Sequence, residues 1–399
     1  MKACILLVGL AVAALGSSLA GAQEPMMLGL GDSIGEGVQS IDANYRTQPH
    51  SYLNLLASQM GIFFPLPLIT SSPAGMVGDV SQRSRLFPRI GAANLSVSGA
   101  TVNSLLTARA DASFEGDIDS ETDLVLFPRV GSQVEIAEEL HPQGIVCWIG
   151  NNDVLSAVLA YDQLDASQMT PVQQFFADFN EIADRLSSAG EFVIFGNIPD
   201  VTRVGFLVDR QDLVRFLGSD FGLAEGSYTS IVAMLLIQQD VNNSSLLQDS
   251  DYVLDSWEID RIQQRIAVFN QIINRAASRL GIPVVDLNGL FYQLTVEPPV
   301  LFGTPLSHRF LGGIFSLDGV HPSNITHALI ANAFIDTLNS YYQDDIPLIS
   351  DDMLGQIFLM DPFVDKDGDG KVRGRYGAGK LETAAVLLGI SGDLDERPY

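Results

Sequence analysis

The chain has 399 residues and a formal net charge of −26, with 47% of its residues hydrophobic and 18% charged. So acidic a chain repels nucleic acid and anionic membrane surfaces, and no basic patch or cluster of base-stacking aromatics offsets that. The apolar content suits a large buried core, and the length admits two domains.

Residues 1–22 read as a secretory signal. Lys2 supplies the positive start, Ile5 to Leu15 the apolar run, and Ala20-Gly21-Ala22 the small-residue cleavage pattern. The run falls short of the roughly 20 residues a spanning helix needs, and no later segment is longer and as apolar, so no stable membrane span is expected. Ala22 stands where a lipoprotein would carry cysteine, which excludes lipid attachment there. The expected protein is secreted or periplasmic after cleavage near Ala22. It keeps Cys147 alone, so it forms no intramolecular disulfide.

Five short apolar runs rich in Val and Ile follow: Met26–Leu30, Ala92–Val97, Gly144–Ile149, Glu191–Phe195 and Ile282–Asp286. Runs apolar on both faces predict strands of a covered parallel sheet. Cys147 falls inside the third run, where an inert buried thiol is expected. Helix patterns lie between and after the runs. Pro171–Ser188 opens with Thr170-Pro171, a cap followed by a helix-starting proline. Glu258–Leu280 places Ile262, Ile266, Phe269, Ile273 and Ala276 on one face, and Pro322–Tyr342 makes a third helix. Alternating strands and helices predict a three-layer α/β domain with a parallel five-stranded sheet over residues 23–344.

Two stretches break the rhythm. Residues 201–256 are apolar and partly helical, with Phe206, Phe216, Phe221 and Met234-Leu235-Leu236-Ile237. They read as a lid or acyl-chain wall, or as extra core packing, the commoner fate of such a stretch. Residues 345–399 form an acidic, Gly-rich extension.

The chemistry starts at Gly31-Asp32-Ser33-Ile34, where a serine ends a predicted strand inside a glycine-rich turn. That placement exposes a hydroxyl as a nucleophile. Of the five histidines, only His321 stands in a suggestive setting, Asp318-Gly319-Val320-His321-Pro322. A carboxylate and an imidazole on one short loop can bond through Nδ1, leaving Nε2 as general base. His50, His141, His308 and His327 read as ordinary surface or core residues. Two further strand ends offer oxyanion donors: Gly99 a backbone N–H with no side chain in the way, and Gly150-Asn151-Asn152-Asp153 a side-chain amide. Ligands of open parallel sheets bind at the carboxyl ends of strands, so these segments can share one site.

Gly31-Asp32-Ser33, Gly99, Gly150-x-Asn152-Asp153 and Asp318-x-x-His321 resemble, in order, the four signature blocks of the SGNH (GDSL-type) hydrolases. The resemblance spans about residues 26–342. It implies a flavodoxin-like fold with sheet order 2-1-3-4-5, Ser33 as nucleophile, His321 as base and Asp318 as its orienter. It also implies the Ser33 and Gly99 N–H groups and the Asn152 amide as oxyanion donors, with Asn151 beside it as the competing amide. Asp32 and Asp153 match the pattern as turn-holding residues. Gly31-Asp32-Ser33-Ile34-Gly35 also fits the G-x-S-x-G elbow of α/β-hydrolases. That elbow follows a mid-sheet strand, whereas Ser33 follows the first.

Asp365-Lys366-Asp367-Gly368-Asp369-Gly370 resembles the start of a calcium loop over 365–376, with Asp365, Asp367 and Asp369 as candidate ligands. Arg373 and Tyr376 break the pattern at loop positions 9 and 12, so a solvated acidic turn competes with Ca²⁺ binding. Taken together, the motifs point to a secreted serine ester hydrolase of lipase or esterase type, acting on a small-molecule or lipid ester without a catalytic cofactor. The alternatives are a carbohydrate O-acetyl esterase on the same site and, of another class, a calcium-dependent binding or scaffold protein. No motif bears on the oligomeric state.

Overall fold

The computed structural model describes residues 26–71, 80–111, 118–160, 162–239, 245–368 and 372. The predicted signal, Asp369 and residues 373–399 lie outside the described residues.

Four strands form the central sheet: β1 (Met27–Gly31), β2 (Gly144–Trp148), β3 (Phe192–Gly196) and β4 (Val284–Val285). They are all parallel, in the order β1-β2-β3-β4. Every residue of β1 and β2 is buried, as a sheet covered on both faces requires. The register shows which helices cover which face. Cys147 pairs with Phe195 across β2 and β3, so Trp148, next along the strand, faces the opposite side. Tyr52 of the helix Tyr52–Gln59 meets Trp148 edge to face at 5.6 Å, while Phe179 of the helix Val172–Ala189 meets Phe195 at 5.3 Å. The helices therefore lie on both faces, giving three layers.

The fifth predicted strand does not form. Residues 92–97 run beside β1, with a parallel bridge between Gly29 and Asn94 and a 2.7 Å bond from the Leu95 N–H to the Gly29 carbonyl. The segment stays irregular because its own polar side chains engage backbone. Asn94 Oδ1 accepts from the Ser96 N–H at 3.1 Å, and Asn94 Nδ2 donates to the Gly35 carbonyl at 2.8 Å. Among the described residues the sheet thus has four strands, with 92–97 as an extended edge where a fifth was expected.

The long helices sit close to their predicted spans, at Val172–Ala189, Ser256–Leu280 and Asn324–Tyr342. The first lacks the expected Thr170 cap: Pro171 holds the cap position, with no side-chain cap bond. The second starts on a capping box, in which Asp255 accepts from the Glu258 N–H and Glu258 from the Asp255 N–H. These two helices stack Phe175 on Phe269 at 3.8 Å. Asn324–Tyr342 covers the other face, where Phe334 stacks on Tyr52 at 5.0 Å.

Within 201–256, Leu207–Val208 pairs antiparallel with Thr229–Ser230, and the helix Ile231–Gln239 buries Ile231, Met234, Leu235 and Ile237 in the main core. Beyond residue 344, the helix Asp351–Met360 leads to Asp361, whose carboxylate accepts from the Ile325 N–H at 2.8 Å. Phe363 and Val372 pack on Leu317. Among the described residues no helix is long and apolar enough to cross a membrane.

Candidate active site

Ser33 leaves the carboxyl end of β1 as the first residue of the one-turn helix Ser33–Glu36. Asp32 caps that turn, accepting from the Ile34 N–H at 3.0 Å through Oδ1 and from Asn151 Nδ2 at 2.8 Å through Oδ2. Burial raises the Asp32 carboxyl to about 6, against the pull of the Asn151 and Ile34 hydrogen bonds. Asp32 thus holds the turn from behind, while Ser33, itself buried, lines the cleft.

The loop carrying Asp318 and His321 comes from the other end of the chain, 288 residues on, and meets Ser33 directly. His321 Nε2 lies 2.9 Å from Ser33 Oγ, and His321 Nδ1 lies 2.7 Å from Asp318 Oδ2. Gly319 makes so tight a loop feasible. Its φ is +73°, and an added Cβ would lie 2.5 Å from the Phe206 backbone nitrogen. Asp318 is buried and fully engaged. Oδ1 accepts the Val320 and His321 N–H groups at 2.9 Å each, and Oδ2 also accepts the Ile41 N–H at 2.9 Å. Burial alone would raise this carboxyl, but the His321 charge and these hydrogen bonds outweigh it and hold it at about 2. An ionised Asp318 keeps the proton on Nδ1, which leaves Nε2 as the acceptor facing the serine hydroxyl.

Gly99 and Asn152 are brought next to each other through Ala100, beside the Ser98 that bonds to the helix of Ser33. Gly99 turns with φ +76°, is exposed, and has open space where a side chain would be. Neither its N–H nor that of Ser33 meets an acceptor among the described residues. Asn152 opens the helix Asn152–Leu159, and its Nδ2 donates to the Ala100 carbonyl at 2.9 Å, next to Gly99. An amide nitrogen carries two hydrogens, so one remains for another acceptor. Asn151 is buried and turned to Asp32. Asp153 is buried too. Its carboxyl, raised to about 6 by burial, accepts the Val102 N–H at 3.0 Å and ties this loop to the helix that follows Gly99.

A cleft opens at Ser33 and Ile34 and is almost wholly apolar. Its walls come from Val201 and Val204, from Phe291 and Leu294 of the helix Leu287–Val296, and from Ile314 and Phe315. Among the described residues of the 201–256 stretch, only the first ones reach the cleft. The sequence reading missed the 287–296 and 314–315 walls and the cleft position of His308. His308 Nδ1 is buried with no partner among the described residues, and burial pushes this imidazole below its ordinary value, so it is neutral at pH 7. Of the calcium-loop acids, Asp365 accepts the Gly368 N–H at 2.9 Å. No group of three His, Cys, Asp or Glu among the described residues is arranged to hold a metal.

The GDSL-like lipase/acylhydrolase family model matches residues 27–334. No curated protein matches the chain. Among solved structures, LAE5, an alpha/beta hydrolase enzyme from the metagenome of Lake Arreo, Spain, aligns at 16% identity over 79% of this chain and 95% of its own, with a TM-score of 0.37. The lipase/acylhydrolase of Enterococcus faecalis gives the same four values. Axe2, an acetylxylan esterase from Geobacillus stearothermophilus, aligns at 13% identity over 79% of this chain and 94% of its own, with a TM-score of 0.36. The family match runs from the strand before Ser33 into the helix after His321, and the chain belongs to the GDSL-like lipase/acylhydrolase family of ester-bond hydrolases.

Proposed function

We propose that the protein is a secreted serine acylhydrolase that cleaves carboxylic esters through an acyl-enzyme on Ser33. The observation that carries this reading is the unbroken hydrogen-bonded line from Ser33 Oγ through His321 to Asp318. His321 takes the serine proton as Oγ attacks the ester carbonyl, and Asp318 holds the imidazole in the productive tautomer. The oxyanion forms against the Ser33 and Gly99 N–H groups and the second hydrogen of Asn152 Nδ2. His321 then protonates the leaving alcohol, and the same base activates water to release the acid. Nucleophile, base and donors all come from the chain, so the reaction needs no cofactor.

The apolar cleft beginning at Ser33 favours an acyl chain of several carbons over acetate, because burying each methylene there contributes about 0.8 kcal/mol. Two measurements test the proposal. A fluorophosphonate should label the wild type on Ser33 and leave Ser33→Ala unlabelled; equal labelling of both would remove Ser33 from the mechanism. Across p-nitrophenyl esters from acetate to palmitate, kcat/KM should rise beyond acetate. Activity confined to acetate would instead support the carbohydrate O-acetyl esterase reading.

A further inference from the structure

The helix that carries Ser33 ends in a carboxylate with no solvent exposure, Glu36. Its Oε2 accepts from the Ser98 backbone N–H at 2.7 Å and from the Ser98 hydroxyl at 2.5 Å. Ser98 immediately precedes Gly99. Gly99 has no such anchor of its own, being exposed, at positive φ, and free of neighbours on its Cβ side. Its backbone is held from both neighbours: Ala100 closes a turn on the Val97 carbonyl at 3.1 Å and takes the Asn152 amide at 2.9 Å, and Ser98, on the other side, is fixed by the helix that carries Ser33.

The other Glu36 oxygen, Oε1, has no donor among the described residues. The ionisable groups around it are the Glu121 carboxylate and the Arg83 guanidinium that pairs with Glu121 at 2.7 Å. Burial first, then the Glu121 charge, push the Glu36 carboxyl well above the usual carboxylate range. A protonated Glu36 keeps Oε2 as acceptor for Ser98 and points a hydrogen towards an acidic neighbour. Glutamine reproduces that hydrogen-bonding pattern without an ionisable proton.

We infer that Glu36 is a positioning residue for the oxyanion site, clamping Ser98–Gly99 to the turn that carries Ser33 so that nucleophile and oxyanion donor hold one geometry. The inference rests on the acylhydrolase reading above. Oxyanion donors act only when their N–H groups already point at the developing charge, so loosening this clamp lowers turnover more than binding.

The test uses the full chain, p-nitrophenyl butyrate and active-site titration with a fluorophosphonate, so that kcat is expressed per reactive Ser33. Glu36→Ala should lower kcat per titrated site by about 10–100-fold, short of the full loss of an oxyanion donor, with KM within about twofold. Glu36→Gln should restore most of that rate. A merely structural role would reduce the number of titratable sites and leave kcat per site alone, and that result overturns the inference. So does Glu36→Gln as impaired as Glu36→Ala. If Glu36→Ala yields no folded protein, Ser98→Ala takes its place. It removes one of the two arms, so a smaller fall in kcat per site is expected than for Glu36→Ala, and an unchanged value overturns the inference. A wild type that neither labels nor turns over ester sinks the acylhydrolase reading, and this role with it. A labelled, active wild type beside an unimpaired Glu36→Ala sinks this role alone.

Discussion

On one side of Ser33, the loop from Ser316 to His321 pairs its polar groups: both Asp318 oxygens accept, and both His321 ring nitrogens are engaged. On the other side, the Ser33 and Gly99 N–H groups and one Asn152 hydrogen point to no protein acceptor among the described residues. A group that passes a proton must keep one tautomer and one orientation, so its partners are fixed in advance. A group that stabilises a transient anion must have its donor unoccupied until that charge appears. The same contrast holds in exposure, with Asp318 buried and Gly99 open. Saturation on one side and availability on the other are what an acyl-transfer site requires.

Changing the saturated side should cost most. Asp318→Asn keeps the size of the side chain but replaces one carboxylate oxygen with an amide donor. Nδ1 of His321 would then be driven to act as acceptor, putting the proton on Nε2, where it cannot take one from Ser33. A loss of about 10³–10⁴ in kcat is expected, as for the orienting aspartate of other serine triads. Steady-state kinetics on a p-nitrophenyl ester decide it. A loss under tenfold would mean that His321 keeps its tautomer without Asp318, and the contrast drawn above would not bear on chemistry. On the available side, Asn152→Ala should lower kcat by about 10²–10³ with KM little changed. If Asn151→Ala has that effect instead, the donor is the amide now bonded to Asp32.

What could be read in the sequence divides along related lines. The Ser33, His321 and Asp318 contact was legible, and Gly99 and Asn152 stood out as candidates, because each carries its conformational demand in its own neighbours: a glycine turn, a strand end, a three-residue spacing around Gly319. The sheet was legible where strands are buried on both faces. It failed at 92–97, where Asn94 and Ser96 draw the backbone away from a regular ladder, and it shrank at β4 to Val284–Val285. Glu36 was silent because its partner lies 62 residues away and no periodicity joins the two. The cleft walls at Phe291 and Phe315 were silent for a related reason. Helical spacing tells that a face is apolar, not that it borders Ser33 rather than the core.

The smallest expected effect separates the two sides by pH and is read in stability. Asp318 is depressed to about 2 in the folded protein, so its contribution is present above its ordinary value of 3.8 and is lost as pH falls through 2. Asp32, beside Ser33, has the opposite sign. Its folded value of about 6 lies above the ordinary 3.8, so its contribution is fully present below about 4 and is lost as pH rises through 6. On acidification from pH 7 to pH 5, Asp32 and Asp153 should add to stability while the buried His327, lowered to about 3, and His308 should subtract from it, so Asp32 is isolated by comparing a variant with the wild type. Asp32→Asn carries no charge at either pH. Whatever constant cost it bears at the Ile34 and Asn151 contacts, its Tm relative to wild type should be higher at pH 7 than at pH 5. The difference corresponds to about 1 kcal/mol, a shift of roughly 1–2 °C for a chain of this size. Thermal unfolding at the two pH values measures it. A gap that does not change with pH would show that Asp32 is ionised throughout, and the turn behind Ser33 would then hold a permanent charge as the Asp318 loop does.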